Sequence, residues 1–276
     1  MARFKLTIEY EGTRYSGWQV QKNARTVQGE LIAAARTLFA TAELELYGAG
    51  RTDAGVHAVA QIAHLDVRTM LAPEIIRRKL NDELPADINL LEVEKAAPQF
   101  HARHDAVARS YLYQISRRRT AFGKRLVWWI KDDLDLARMR ACAALFVGTH
   151  DFRSFTADEP DEKSTAVAID EVTVAEADAL ILIRVVGSHF LWKQVRQMVG
   201  VLAEAGRKEL GPKQVQAFLT GDSSLPATLT APPSGLFLER IYYKGDPRLG
   251  EILPVIGISA KPFTSATASA GRRRTP

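Results

Sequence analysis

The sequence predicts an α+β protein: two α+β halves around one mainly antiparallel sheet. Three observations carry this. Short runs alternate apolar and polar residues, the period of half-buried strands. Between them lie stretches with apolar residues on one helical face. The order is strand–helix–strand–strand–helix–strand, and something similar follows in the second half.

The elements come in this order. Phe4, Leu6, Ile8 and Tyr10 alternate with polar residues and form a strand. The polar segment EGTRYSGWQVQKNART follows, dense in Arg, Tyr, Trp and Gln. These side chains contact phosphates and stack on bases, and they also occur in plain surface loops. Thr26 is placed to cap a helix in which Val27, Leu31, Ala35 and Leu38 share a face. Strands are expected around 44–47 and 59–67, and Pro73 opens a second helix as a first-turn proline. Ile88 to Val93 is another strand. FHARHDA joins the halves, which divides the chain into 1–104, 105–247 and a tail, 248–276.

In the second half, Val107, Arg109, Tyr111, Tyr113 and Ile115 share one strand face. A basic loop follows with Arg117, Arg118, Arg119, Lys124 and Arg125, a run that ordinarily faces solvent. A helix over 136–147 ends at Gly148, and GTHDFRSFTADEPDEKS reads as loop. Two strands, 166–174 and 180–186, make a hairpin. Phe190 to Ala205 is the most amphipathic helix, with Leu191, Val195, Met198, Val199 and Leu202 as its stripe. Arg196 sits beside that stripe, where a cation snorkels to water unless an acid meets it. A short helix at 212–219 precedes the last strand, GLFLERIYY, with Leu236 and Leu238 on one face. The tail beyond Ile258 is rich in Ser, Thr and Ala, ends near an Arg triplet, and is expected to be disordered.

Composition narrows the function. With 276 residues, 46% hydrophobic and 25% charged, the chain can bury a core without staples. Its one cysteine, Cys142, excludes an internal disulfide and a Cys-based zinc site. No apolar run reaches the ~18 residues of a membrane span, and the N-terminus alternates like a strand instead of a signal peptide. A soluble cytoplasmic protein is expected. The net charge of +5 permits a polyanionic partner.

The stretch with chemistry in it is GAGRTDAGVH, residues 48–57. Gly48, Gly50 and Gly55 allow a tight backbone path, and strands lead in and out. A loop fixed at both ends can present Arg51 and Asp53 into a cleft with little freedom. No Walker loop and no G-x-G-x-x-G before a helix are present. Asp53 with His57, or His101 with His104, have helical metal-ligand spacings but lie in loop or strand, and no metal site is expected. A Ser-His-Asp triad stays open, although no G-x-S-x-G elbow exists. What remains is a lone carboxylate able to act as nucleophile or base. In a dry pocket such a group needs a cation to keep it ionised, and Arg51 or Arg196 could serve. An aromatic face such as Tyr111 could hold a base.

GAGRTDAGVHAVAQ resembles the signature of the TruA family of tRNA pseudouridine synthases. The resemblance continues in order through YEGTRYSGWQVQKNARTVQGEL, LNDELPADI, FHARHDAVARSYLYQI, THDFRSFT, HFLWKQVRQMVGVL and TAPPSGLFLERIYY. It covers roughly residues 3–244 and leaves the tail outside.

The resemblance implies that Asp53 is the catalytic residue and that Tyr111 stacks on the target uracil. It implies that Arg196 pairs with the catalytic carboxylate and that Arg51 occupies the space of the flipped nucleotide or contacts its phosphate. Leu238, with Leu236, would wall the pocket. It also implies the pseudouridine synthase fold, a cleft between related halves, a homodimer, no cofactor and no metal. The substrate implied is the tRNA anticodon stem-loop, at uridines thirty-eight to forty. Arg14, Arg25, Arg117 to Arg119 and Lys124 are candidate phosphate contacts. A non-catalytic RNA-binding protein or tRNA folding chaperone is the alternative, with a metal-dependent hydrolase behind it.

Overall fold

The computed structural model describes residues 1–156 and 164–260. The tail beyond 260 and part of the polar loop after residue 156 lie outside the described residues. One ten-stranded sheet runs through the molecule. The first half supplies β1 (Ala2–Tyr10), β2 (Glu45–Gly48), β3 (His57–Val67) and β4 (Ile88–Lys95). The second supplies β5 (Ala108–Ser116), β6 (Trp128–Trp129), β7 (Gly148–Asp151), β8 (Ala166–Ala177), β9 (Leu180–Gly187) and β10 (Leu236–Tyr242). The order is β4-β1-β3-β10-β5-β9-β8-β7, with β2 on β3 and β6 on β5. All pairings are antiparallel except β3–β10 and β5–β6. The α+β class and the mainly antiparallel sheet therefore match the expectation from sequence.

The parallel β3–β10 seam joins the two sets of strands. It is short, pairing Phe237 with His57 and Leu238 with Ala58. Apolar residues cover both sides of the neighbouring strands, so β9 is buried along its whole length. On one face, Tyr111, Tyr113, Ile183 and Val185 join the main core with helices α1 (Val27–Phe39), α2 (Pro73–Glu83), α3 (Leu136–Ala143), α4 (Gln194–Gly206) and α5 (Pro212–Thr220). A four-residue turn of helix, α6 (Leu225–Thr228), completes the set. On the other face, Leu112, Leu180 and Leu182 are covered by Ile256 and Ile258 of the C-terminal segment. Beside them the buried Arg184–Glu239 pair, 2.7 Å apart, is capped by the Gly250 carbonyl.

Local signals explain most of these elements. Thr26 accepts from Gly29 N and caps α1. Pro73 and Pro212 stand in first turns, where no amide hydrogen is needed. Three expectations change. GTHD is edge strand β7 paired with β8, not loop: so short a polar strand carries no alternation to read. The helix expected over 136–147 leaves the α-form after Ala143 and finishes in a 3-10 turn, Ala144–Phe146. The long amphipathic helix begins at Gln194 and not at Phe190, because Lys193 takes a left-handed conformation at φ 62°. The Gln194 side chain accepts from Leu191 N, so residues 190–193 form a separate turn.

Candidate active site

Residues 49–56 link β2 to β3, and almost every one is tied down. Ala49 N donates to Ile62 O at 2.7 Å. The buried Gln61 side chain clamps Gly50, receiving from its amide and donating to its carbonyl. Trp18 N donates to Thr52 O, and the Thr52 hydroxyl meets Tyr10 OH at 2.8 Å. Gly55 sits at φ +78°, a conformation that favours glycine, and its amide donates to Tyr15 O. Asp53 thus lies between fixed neighbours. Part of this hold comes from the segment EGTRYSGW, whose composition left RNA contact and a plain surface loop both open. Its aromatic residues Tyr15 and Trp18 are instead buried beneath the loop.

A cleft of about 870 Å³ opens over this loop. Asp53, Arg51, Tyr111 and Arg196 all line it. Arg196 comes from α4 in the other half and places Nη1 3.3 Å from Asp53 Oδ2. Its Nε donates to Ala231 O at 2.7 Å, and Ala231 N returns a bond to Arg196 O. The guanidinium is therefore held by a carbonyl while it faces the carboxylate. Both side chains are mostly shielded, with Arg196 13% and Asp53 25% exposed, so the pair is stronger than one on open surface.

Tyr111 stands on β5 and is buried to 9% exposure. Phe190 meets its ring edge-on at 5.2 Å, fixing the ring's orientation. Burial first, then the Asp53 charge, push the Tyr111 hydroxyl well above its usual pKa, so it stays neutral. Arg51 is exposed at the rim and forms no ion pair among the described residues. Leu236 lines the cleft, whereas Leu238 is fully buried behind it, with a methyl 3.9 Å from where a Gly50 side chain would begin.

Among the described residues, Asp53 is the only carboxylate in the cleft lining, against Arg51, Arg103, Arg109, Lys193 and Arg196. That imbalance suits a polyanion with one acid reserved for chemistry. Sequence reading missed Arg103, Arg109 and Lys193. Arg109 is the tie of the site: it donates to the carbonyls of Arg103, Ala106 and Ser188 and reaches Ala49 O at 3.5 Å. It was legible only as a cation on the Tyr111 face. The candidate phosphate contacts lie elsewhere, since none of Arg14, Arg25, Arg117 to Arg119 or Lys124 lines the cleft. Arg25 pairs with Glu30 and Arg117 with Glu176.

His57 is not free to bind a metal. Its Nδ1 accepts from Gly12 N at 2.9 Å, and Nε2 faces the Arg125 carbonyl at 3.1 Å. Burial lowers its pKa, which favours the neutral ring despite Glu11 nearby. Among the described residues no group of three or more His, Cys, Asp or Glu side chains could hold a metal, and no helix is long and apolar enough to cross a membrane.

Comparison with known proteins agrees with this geometry. A family model described as tRNA pseudouridine synthase matches residues 6–105 and 142–244. The tRNA pseudouridine synthase A of Moorella thermoacetica is 40% identical over 247 residues, covering 88% of this chain and 100% of that protein. The protein of the same name from Exiguobacterium sibiricum is 37% identical over 243 residues, covering 88% and 97%. That from Agrobacterium fabrum is 38% identical over 248 residues, covering 88% and 93%. With the match running through the Asp53 loop and α4 alike, the chain belongs to the TruA family of tRNA pseudouridine synthases, a family of isomerases.

Proposed function

We propose that this enzyme isomerises uridine to pseudouridine in the tRNA anticodon stem-loop, at positions thirty-eight to forty, with Asp53 as the catalytic carboxylate. The observation that carries the reading is the meeting of Asp53 with Arg196 in a cationic cleft that Tyr111 also lines.

The reaction breaks the N-glycosidic bond, turns the uracil, and rejoins it to the ribose through carbon five. Atoms are conserved and nothing is oxidised, so no group donor is called for. The target base must first leave its stack, at a cost of a few kcal/mol. Tyr111, braced by Phe190, offers the base a new stacking face. Arg51, at the rim, takes the vacated space or the nearby phosphate. Asp53 then adds to C1′ of the ribose, adds to C6 of uracil, or removes the 2′ proton. All three routes use the ionised carboxylate, which faces the Arg196 guanidinium at 3.3 Å. Leu236 and, behind it, Leu238 keep that side of the pocket apolar. The TruA resemblance carries with it a homodimer and a cytoplasmic location.

The test is incubation with unmodified tRNA transcripts, followed by mapping of pseudouridine along the strand. Pseudouridine confined to positions thirty-eight to forty is the expected result. Binding of tRNA without any pseudouridine would favour the alternative of a non-catalytic RNA-binding protein.

A further inference from the structure

A second pocket, of about 250 Å³, adjoins the main cleft at the Gly50–Arg51 ridge, and Asp53 is not among its lining residues. It shares Gln19, Gly50, Arg51 and Arg103 with the main cleft, so one strand of substrate can reach both. Its volume is below the ~300–1,000 Å³ of pockets for drug-sized ligands, which suits a single heterocycle better than a whole nucleotide.

The walls are aromatic. Tyr47 stacks on His64 at 5.3 Å, lines the pocket, and yet remains 48% exposed. His101 and His104 continue the wall, their rings 4.2 Å apart. Trp18 forms the floor. Its edge bearing Nε1 lies against Gly48, which also lines the pocket.

The chemistry inside favours a neutral ring over an anion or a metal. Burial lowers the pKa of His64 and of His101, so neither supplies charge at neutral pH. The Nδ1 atoms of both rings already accept backbone N–H groups, from Ala102 on one side and from Arg103 and His104 on the other. Positive charge sits only at the rim, on Arg51 and Arg103. Gln61 pins the ridge between the pockets on both its amide and its carbonyl, so the partition is rigid.

We propose that this pocket is a second base-binding subsite, which takes the unpaired nucleobase next to the target uridine while Arg51 holds the phosphate between them. It rests on the reading of the main cleft as the isomerase site. Tyr47 supplies the stacking face. Such a site grips whichever base follows the target, because every base has a π-face. It is therefore a device for holding register and not for reading sequence.

The experiment measures KM and kcat of wild type, Tyr47→Ala and Tyr47→Phe with a tRNA transcript. It repeats this with transcripts carrying one abasic site, either 5′ or 3′ of the target uridine. Stacking lost in Tyr47→Ala raises KM on the order of 10-fold with kcat unchanged, and Tyr47→Phe behaves as wild type. One of the two abasic sites raises the wild-type KM by a similar factor and adds nothing in Tyr47→Ala. An unchanged KM in Tyr47→Ala overturns the subsite, as do losses that simply add at both abasic positions. If wild type forms no pseudouridine at all, the isomerase reading fails first and the subsite falls with it.

Discussion

The Arg196 guanidinium meets the Asp53 carboxylate at 3.3 Å although 143 residues separate them in the chain. Neither side chain could hold this arrangement on its own element. Asp53 is fixed through Thr52 and Gly55, and Arg196 through the Ala231 carbonyl. The site therefore exists only when the β2–β3 loop and α4 are brought together.

Removing the cation leaves a half-shielded carboxylate without its partner. Arg196→Met is expected to lower kcat by roughly 10- to 100-fold, the worth of one hydrogen bond between charged groups. Steady-state pseudouridine formation measures it, and Arg196→Lys, which keeps the charge but not the fork, is expected to fall between. An unchanged kcat in Arg196→Met would dismiss the pair from the chemistry.

Gly200 lies one helical turn from Arg196 on α4. A Cβ there would stand 1.7 Å from the Leu229 carbonyl oxygen, so the helix and the 229–231 segment touch backbone to backbone. Gly200→Ala must push them apart. It is expected to cost about 1–3 kcal/mol or more of stability, and to lower kcat by displacing the Ala231 carbonyl that holds Arg196. Urea unfolding and turnover check both effects. A variant as stable and active as wild type would contradict this packing.

Acid should weaken the fold before it reaches the carboxylates. Burial, then the charges of Arg3 and His101, lower the pKa of His64 from 6.5 to about 4. The unfolded chain binds that proton more tightly than the folded one. The stability is complete above pH 6.5 and is lost as pH falls toward 4, at up to about 1.4 kcal/mol per pH unit for the one proton. His57, whose pKa burial also lowers, adds in the same direction. Unfolding midpoints between about pH 7 and pH 5 are expected to fall, and less steeply in His64→Gln. A midpoint that holds constant across that range would contradict the assignment.

Much of the site was legible because its signals are local. The glycines around Asp53 marked a constrained loop, and the odd-numbered face of β5 placed Tyr111 with Arg109. Arg196 beside an apolar stripe asked for an acid, and the structure supplies one. The rest depends on distant neighbours. Lys193 at φ 62° makes α4 start late, at Gln194, and leaves Phe190 outside the helix, where it braces Tyr111. Arg103 looked like part of a linker, but it lines the cleft, with its carbonyl held by Arg109. A period of two put Leu236 and Leu238 on one face, but only depth along β10 decides that Leu236 reaches the cleft. Segment 249–258 read as tail, yet Ile258 is buried against the back of the sheet.

The most direct test compares Asp53→Asn with wild type for tRNA binding and for pseudouridine formed on the same transcript. Asn is nearly the same size and keeps the loop, but it carries no charge. The expected result is binding close to wild type with turnover reduced by at least about 10²-fold. Turnover near the wild-type rate in that variant would contradict the assignment of Asp53 as the catalytic carboxylate.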